Sequence, residues 1–326
     1  CAALLLVSSC LLTGCTTSSA KKVDSKYVVA SLEKGNKTKN IFADNLYKDI
    51  IDNSSNNSTV FNAVLQNLVD QKFPVNDDMK EDAATIIKQI KSAYKSNYGD
   101  NYKDSLNQAL TSAGYKNLSE YRQRMIKQIQ YANFLLDYID DHFDDVFNDY
   151  YQQCAPKYVS LIKISVSDTS SPTDNETSKL NEVKELISNT DKSFGDIAQD
   201  YSDDSTSSKK GSLGIVDSKD TSGIANSYGK DVFNAIEALS EGQVSDVITG
   251  DDGYYFVKVT STDKKTLKKE LKKTDIDSPL LAYDDYLQYV VYNSYKINYK
   301  DKDIKKIVQE VVNKALEERK TERGEA

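Results

Sequence analysis

The chain of 326 residues contains a single histidine, which limits the chemistry that its side chains can do. That residue, His142, is flanked by Asp140, Asp141, Asp144 and Asp145. Ser-His-Asp and Cys-His arrangements and histidine-bearing metal sites therefore share one candidate. The carboxylates around it lack the alternating Asp/Asn and glycine pattern of an EF-hand loop. The pattern favours a solvated helix face, and we expect no metal site and no cofactor.

Cysteine chemistry is restricted in the same way. Cys1, Cys10 and Cys15 lie at the N-terminus, which leaves Cys154 alone in the rest of the chain. A nucleophilic cysteine needs a histidine or clustered positive charge to form its thiolate, and the chain offers only His142. We expect Cys154 to be a partly buried structural thiol, and an intrachain disulfide framework is excluded.

The most informative pattern runs from residue 194 to residue 258. It reads Phe194-Gly-Asp-Ile-Ala198, Tyr201-Ser-Asp-Asp-Ser205, Gly211-Ser-Leu-Gly214, Leu239-Ser-Glu-Gly-Gln-Val-Ser245 and Gly253-Tyr-Tyr-Phe-Val-Lys258. In order and nearly in spacing, this pattern resembles the parvulin family of peptidyl-prolyl isomerases. The resemblance implies a small α+β domain with an antiparallel sheet, which we place at residues 155–261.

Isomerising an X-Pro bond means crossing a barrier of about 18 to 20 kcal/mol. An enzyme can lower it by holding the proline ring in an apolar pocket and supporting the twisted amide with a polar network. In parvulins this network includes two histidines and an Asp or Cys. The resemblance implies that Asp204 takes the acidic position, Thr249 supplies a network hydroxyl, and Leu213 and Phe233, or Val232, line the pocket.

The sequence departs from the parvulin pattern at both histidine positions, which fall on Leu161 and Tyr255. Tyr255 can still donate and accept a hydrogen bond, whereas Leu161 can only add apolar surface to the pocket. Between Gly214 and Val232 the chain is longer than the common pattern, so the pocket methionine has no assigned residue. An active isomerase and a non-catalytic peptide-binding module both stay open.

The N-terminus carries a second pattern. An apolar run from Ala2 to Leu12 ends in Leu12-Thr13-Gly14-Cys15, and such a short run before small residues is typical of a signal peptide. By resemblance to bacterial lipoproteins, Cys15 would receive a diacylglyceryl group and anchor the protein on the outer face of the cell membrane. We read residues 1–15 as signal peptide and lipobox and 16–26 as a flexible tether. The alternative is a plain secretory signal with an incidental cysteine.

Helical periodicity dominates residues 27–154, after a short strand at 27–32. Four stretches repeat apolar residues at helical spacing, and they cover residues 60–69, 86–93, 106–110 and 118–139. Tandem helices of this kind resemble the N-terminal chaperone region of PrsA and SurA proteins. In residues 262–326 a further apolar stripe, from Ile304 to Leu316, predicts another amphipathic helix.

The expected fold class is therefore α+β. In the PrsA-type family the C-terminal helices fold back on the N-terminal helical region. The resemblance implies a helical chaperone domain built from residues 27–154 and 262–326, with the parvulin-like domain of 155–261 inserted between them. The periodicity does not identify which helix receives the C-terminal stripe.

Three functional interpretations follow. The first is a membrane-anchored foldase that assists secreted proteins after translocation, with a parvulin-type isomerase domain of weak activity. The second is a holdase chaperone with a degenerate parvulin domain, and the third is a solute-binding lipoprotein, for which two α/β lobes would be expected. Partners would be unfolded or partly folded secreted proteins, and a homodimer is left open. A net charge of −8 argues against nucleic acid as a partner.

Overall fold

The computed structural model describes residues 22–34, 37–189, 191–272 and 275–325. The chain divides into two compact units, one of residues 136–285 and one of the described residues up to Leu135 together with those from Tyr286 onward. No helix within these ranges is both long and apolar enough to cross a membrane. The predicted signal peptide and its lipidation residue, Cys15, lie outside the described residues.

The N-terminal part begins with a three-stranded antiparallel sheet in the order β1-β2-β3 and continues as helices. Its elements are β1 (Lys22–Val23), β2 (Lys26–Lys34), β3 (Lys37–Phe42), α1 (Ala43–Ile51), α2 (Asn57–Lys72), α3 (Asp77–Tyr98), α4 (Tyr102–Ser112) and α5 (Leu118–Asp141). The four predicted helices are confirmed as α2 to α5. The flexible tether predicted for residues 16–26 is wrong at its C-terminal end, because Lys22 and Val23 form β1 and pair with β2 across a tight turn.

The unit of residues 136–285 contains a four-stranded antiparallel sheet in the order β5-β4-β7-β6. Its elements are α6 (Phe143–Cys154), β4 (Lys157–Ser165), α7 (Asp174–Asn189), α8 (Phe194–Tyr201), β5 (Ser212–Val216), α9 (Ile224–Tyr228), α10 (Lys230–Ala238), β6 (Ile248–Thr249), β7 (Gly253–Ser261) and α11 (Lys264–Leu271). The mixture of helices and antiparallel sheets confirms the predicted α+β class.

The chain ends in α12 (Leu287–Ser294) and α13 (Lys302–Glu322). Asp301 caps α13 by accepting hydrogen bonds from the first exposed backbone amides of the helix. The last helix packs against α2. Phe61 of α2, which is fully buried, stacks on Tyr289 with ring centroids 5.0 Å apart. The apolar stripe predicted from Ile304 to Leu316 therefore lies on a helix that packs against α2.

The pairing of β4 with β7 sorts the side chains of the sheet onto two faces. Leu161 lies opposite Val257 and Lys163 lies opposite Tyr255, so these four share one face, called here the site face. Ile162 and Ile164, with Phe256 of β7, occupy the other face. Helices α9 and α10 pack on the site face. Helices α7 and α8 pack on the opposite face.

A buried polar network joins α6 to the loop after β5. Asp217 is fully buried and accepts a hydrogen bond from the Tyr150 hydroxyl at 2.8 Å and one from the Lys219 backbone amide at 3.0 Å. The Tyr150 ring lies edge-on to Tyr283, with centroids 5.5 Å apart. Burial, and then the charge of Asp217, raises the pKa of Tyr150. This unit thus extends beyond the predicted segment 155–261 at both ends. Cys154 was expected to be partly buried and is fully buried.

Candidate functional site

The site face has an apolar floor. Leu161, Tyr255 and Val257 are buried in one cluster with side chains from the two helices above them, and those are Ile224, Val232 and Ile236. Leu213, Phe233 and Ile248 are partly buried and pack at the edge of this cluster. An apolar wall with remaining exposure is the kind of surface on which a proline ring can rest.

Asp204 stands at the border of this floor, as the cap of the short helical turn 205–209. Its Oδ1 accepts hydrogen bonds from the Thr206 backbone amide at 2.8 Å and from the Thr206 hydroxyl at 2.6 Å. The loop is held to β4 by its preceding residues, since the Ser202 hydroxyl accepts a hydrogen bond from the Lys163 amide at 3.0 Å. Asp203 also accepts a hydrogen bond from the Ser165 amide at 2.9 Å.

Tyr255 is oriented by Asp252 and not by Asp204. Its hydroxyl donates a short hydrogen bond to Asp252, whose other carboxylate oxygen forms an ion pair with Lys163. The Lys163 ammonium also lies 5.6 Å from the centroid of the Tyr255 ring, within cation–π range. The hydrogen bonds from Lys163 and then from Tyr255 lower the pKa of Asp252. Burial, and then the bond to Asp252, raises the pKa of Tyr255, so the phenol stays neutral.

Tyr228 supplies the phenol that reaches Asp204. Its hydroxyl lies 3.5 Å from Asp204 Oδ1, at the long limit of a hydrogen bond. Its ring is edge-on to the Tyr255 ring, with centroids 6.2 Å apart, a favourable arrangement for aromatic pairs. Burial, and then the charge of Asp204, raises the pKa of Tyr228 to about 12. A neutral hydrogen-bond donor therefore stands beside the carboxylate at physiological pH.

The predicted site residues separate into three groups. Asp204, Tyr255, Leu213 and Phe233 surround the site face, as the residues assigned from sequence were expected to do. Leu161 has no exposed surface, so it supports the floor and cannot line an open pocket. Thr249 lies on the opposite face of the sheet because of the register between β6 and β7.

Thr249 does not join this group. It pairs with Tyr254, whereas its neighbour Ile248 pairs with Tyr255. Because successive residues of a strand point to opposite faces, Thr249 lies on the face away from Tyr255. The predicted network hydroxyl is therefore separated from Asp204 by the sheet.

Three residues of the site were not predicted from sequence, and they are Tyr228, Lys163 and Asp252. Strand alternation from Leu161 points to Lys163, two residues further along β4. The turn before β7 points to Asp252, three residues before Tyr255. Tyr228 gave no such signal, because it lies in the lengthened segment between β5 and α10, where the pattern could not be aligned. Within the described ranges, no cluster of three His, Cys, Asp or Glu side chains is placed to hold a metal ion.

Residues 161–261 match the model of one protein family, the PPIC-type PPIASE domain, described as a rotamase. This segment is similar to the parvulin-type domain that the motifs predict. It runs from the middle of β4 to the end of β7 and contains every residue of the site described above. The resemblance to parvulins and to PrsA-type foldases expected from the motifs is confirmed.

Two curated relatives are similar over part of the chain. The foldase protein PrsA of Staphylococcus aureus is 31% identical over 159 residues, covering 46% of this chain and 47% of the relative. The PrsA of Staphylococcus epidermidis is 35% identical over 136 residues, covering 40% of this chain and 39% of the relative. The matched region thus spans about half or less of the length of these relatives.

Among solved structures, the crystal structure of PrsA from Streptococcus pneumoniae aligns with 86% of this chain and 99% of its own, at 20% identity and a TM-score of 0.40. The crystal structure of PrsA from Bacillus subtilis aligns with 86% of this chain and 98% of its own, at 22% identity and a TM-score of 0.40.

Gly211 allows the Asp204 loop to approach the floor closely. It has a φ of +73°, and an added Cβ would lie 2.4 Å from the Leu161 carbonyl oxygen and 2.8 Å from the Ala198 Cβ. Its own carbonyl accepts a hydrogen bond from the Leu161 amide at 2.8 Å. Gly214, three residues on, has a φ of +78° but no atom within 4 Å of an added Cβ. The two glycines therefore share a backbone conformation but differ in the room that is available for a side chain.

We predict that Gly211→Ala destabilises the domain more than Gly214→Ala does. A residue other than glycine at positive φ costs roughly 1 to 2 kcal/mol, and Gly211→Ala adds about 1 to 3 kcal/mol of overpacking against Leu161 and Ala198. Urea unfolding of both variants measures the difference. Equal losses of stability would show that the close approach at Gly211 is not a constraint on the loop.

Proposed function

We propose that this protein is an extracytoplasmic foldase that binds unfolded or partly folded secreted proteins and slowly isomerises their X-Pro bonds. One observation carries the proposal. A segment of the parvulin family presents an apolar wall of Leu213, Phe233 and Ile248 beside a carboxylate and a neutral phenol, those of Asp204 and Tyr228. This combination supplies a seat for proline and polar groups for a twisted amide.

Rotation about the X-Pro bond needs no covalent step. It needs a site that binds the twisted amide more tightly than the planar one. An apolar surface grips the proline ring, and partial withdrawal from water strengthens each nearby hydrogen bond. The uncatalysed reaction takes tens to hundreds of seconds, so even modest stabilisation of the twisted state produces a useful rate.

Slow catalysis is proposed because of what occupies the two usual imidazole positions. Leu161 is buried and has no donor, and the Tyr255 hydroxyl is bound to Asp252. Neither residue can therefore orient Asp204. The polar network of the site is reduced to Asp204, Thr206 and Tyr228.

A holdase function is favoured by a second observation, in the N-terminal part of the chain. Large apolar side chains are exposed on β2, β3 and α1, and they are Tyr27, Val29, Leu32, Ile41, Leu46, Tyr47 and Ile50. Helix α1 packs on the strands yet has no buried residue. A concentration of exposed apolar side chains marks an interaction surface. We propose that this surface, called here the apolar patch, holds unfolded segments, and that it acts whether or not the parvulin-type domain is catalytic.

The proposed location rests on the sequence Leu12-Thr13-Gly14-Cys15 alone. Two acyl chains on Cys15 would give stable attachment to the outer face of the membrane, where secreted proteins emerge. The spacer that follows Cys15 would leave the body of the protein free to meet them.

We predict that the purified full chain accelerates X-Pro isomerisation in a protease-coupled assay. Asp204→Ala should lower the rate at least about fivefold because it removes a hydrogen-bonding group. Phe233→Ala should lower the rate at least about fivefold because it removes an apolar contact with the proline ring. Thr249→Ala is the matched control within the same domain, because Thr249 lies on the other face of the sheet. A full chain that does not exceed the uncatalysed rate would leave only the holdase interpretation.

We predict that Leu32→Ser combined with Ile50→Ser weakens suppression of aggregation of an unfolded client by more than about tenfold. Each large apolar side chain buried against a client contributes about 1.5 to 3 kcal/mol. Tyr98→Ser is the control, since Tyr98 is similarly exposed but lies on α3. Light scattering of a chemically denatured client measures the effect. Equal behaviour of the double variant and the control would remove the apolar patch from the proposal.

We predict that Cys15→Ser releases the protein from the membrane fraction of a bacterial host. The serine hydroxyl cannot accept the thioether-linked diacylglyceryl group, so the two acyl chains are lost. Metabolic labelling with a radioactive fatty acid, followed by fractionation, measures both steps. Acyl label on the Cys15→Ser variant would overturn the assignment of the lipidation residue.

A further inference from the structure

Tyr228 has the geometry of a group that acts on the substrate, although nothing in the parvulin motifs points to it. Its hydroxyl bond to Asp204 is long, at 3.5 Å, whereas Asp204 is already held firmly by Thr206 at 2.8 and 2.6 Å. A hydrogen bond of this length contributes little. The phenol can therefore exchange the carboxylate for another acceptor at small cost.

The short helix of Tyr228 is anchored on one side and ends at a glycine on the other. Tyr228 is the last residue of the short helix α9, and Gly229 follows it with a φ of +99° and no atom within 4 Å of an added Cβ. The start of the helix is fixed, because Asp220 accepts hydrogen bonds from the Ile224 amide at 2.6 Å and the Ala225 amide at 3.0 Å. The start of the helix that carries Tyr228 is thus anchored, and the Tyr228 ring packs against the same cluster as Leu213 and Phe233.

The Tyr255 hydroxyl is not available for the same role. It is engaged by Asp252, which Lys163 holds in place from β4. Burial, and then the charge of Asp204, raises the pKa of Tyr228 to about 12, so its hydroxyl keeps its proton over the physiological range. Of these two phenols, that of Tyr255 is held by Asp252, whereas that of Tyr228 makes a long contact with Asp204.

When an X-Pro amide twists, its conjugation is lost and the lone pair returns to the prolyl nitrogen. A donor that binds this lone pair interacts with the twisted state and not with the planar one, which is the condition for raising kcat. We propose that Tyr228 is a catalytic residue whose hydroxyl leaves Asp204 and donates a hydrogen bond to the prolyl nitrogen in the transition state, while its ring forms one wall of the proline pocket. This role rests on the proposed isomerase function.

The test compares Tyr228→Phe, Tyr228→Ala and Tyr254→Phe in the full chain, using a proline-containing tetrapeptide for the rate and fluorescence anisotropy for peptide binding. Tyr254 is the matched control, because its hydroxyl makes a 3.4 Å bond to the Thr169 carbonyl on the other face of the sheet. We expect Tyr228→Phe to lower kcat about five- to tenfold with peptide affinity unchanged, since the wall is kept and one hydrogen bond is lost. We expect Tyr228→Ala to weaken binding as well, and Tyr254→Phe to change neither.

Thermal melts of all three variants establish that each is folded at the assay temperature. An active full chain whose Tyr228→Phe variant keeps its rate overturns the role of Tyr228 and leaves the proposed function standing. A full chain with no activity overturns the isomerase function and the role of Tyr228 together. An equal loss of rate in Tyr254→Phe would also contradict the proposal, because it would assign the effect to the sheet as a whole.

Discussion

The antiparallel register of β4 with β7 is the constraint on which the site depends. By setting Lys163 opposite Tyr255 it places the ammonium, the phenol and Asp252 in one group, and by setting Leu161 opposite Val257 it makes a dry floor next to that group. A shift of one residue would exchange the two faces and bury Lys163 under α8. The close approach at Gly211 holds the Asp204 loop to the same strand, so the loop follows the register as well.

Two apolar clusters, one on each face of the sheet, make that register hard to change. Helices α9 and α10 cover one face, and α7 and α8 cover the other. Lys157 holds α10 on the first of these faces, because its ammonium donates hydrogen bonds to the backbone carbonyls of Ile236 and Glu237 at the end of that helix. The site is therefore built on a two-sided core, and only its border residues keep exposed surface.

Much of this fold could be predicted from the sequence. Helices α2 to α5 carry apolar periodicity, and α2, α3 and α4 end just before Pro74, Gly99 and Gly114, which are local signals. Helix α1 was not singled out because its apolar residues, among them Leu46, Tyr47 and Ile50, fall within nine residues, which is too short a stretch for helical periodicity to be distinguished. The face on which Thr249 lies was missed because it depends on the register of β6 with β7, which a sequence does not reveal. Tyr228 was missed because its partner Asp204 is distant in sequence and because the segment that contains Tyr228 is longer than in the common parvulin pattern.

The buried carboxylate of Asp217 has a consequence for how this domain can be exchanged between proteins. Its hydrogen-bond donors include Tyr150 on α6, and Lys219 beside it donates to the Tyr283 carbonyl at 2.8 Å. A chimaera joined at the limits of the family match would remove the Tyr150 hydroxyl and leave this buried carboxylate with the donors of Lys219 and Thr221 alone, at a cost of about 1 kcal/mol for the lost hydrogen bond. The transplantable module is consequently larger than the family match and runs from α6 to the segment after α11. Recombination between relatives would be tolerated best where α6 and the segment after α11 are exchanged together with the sheet.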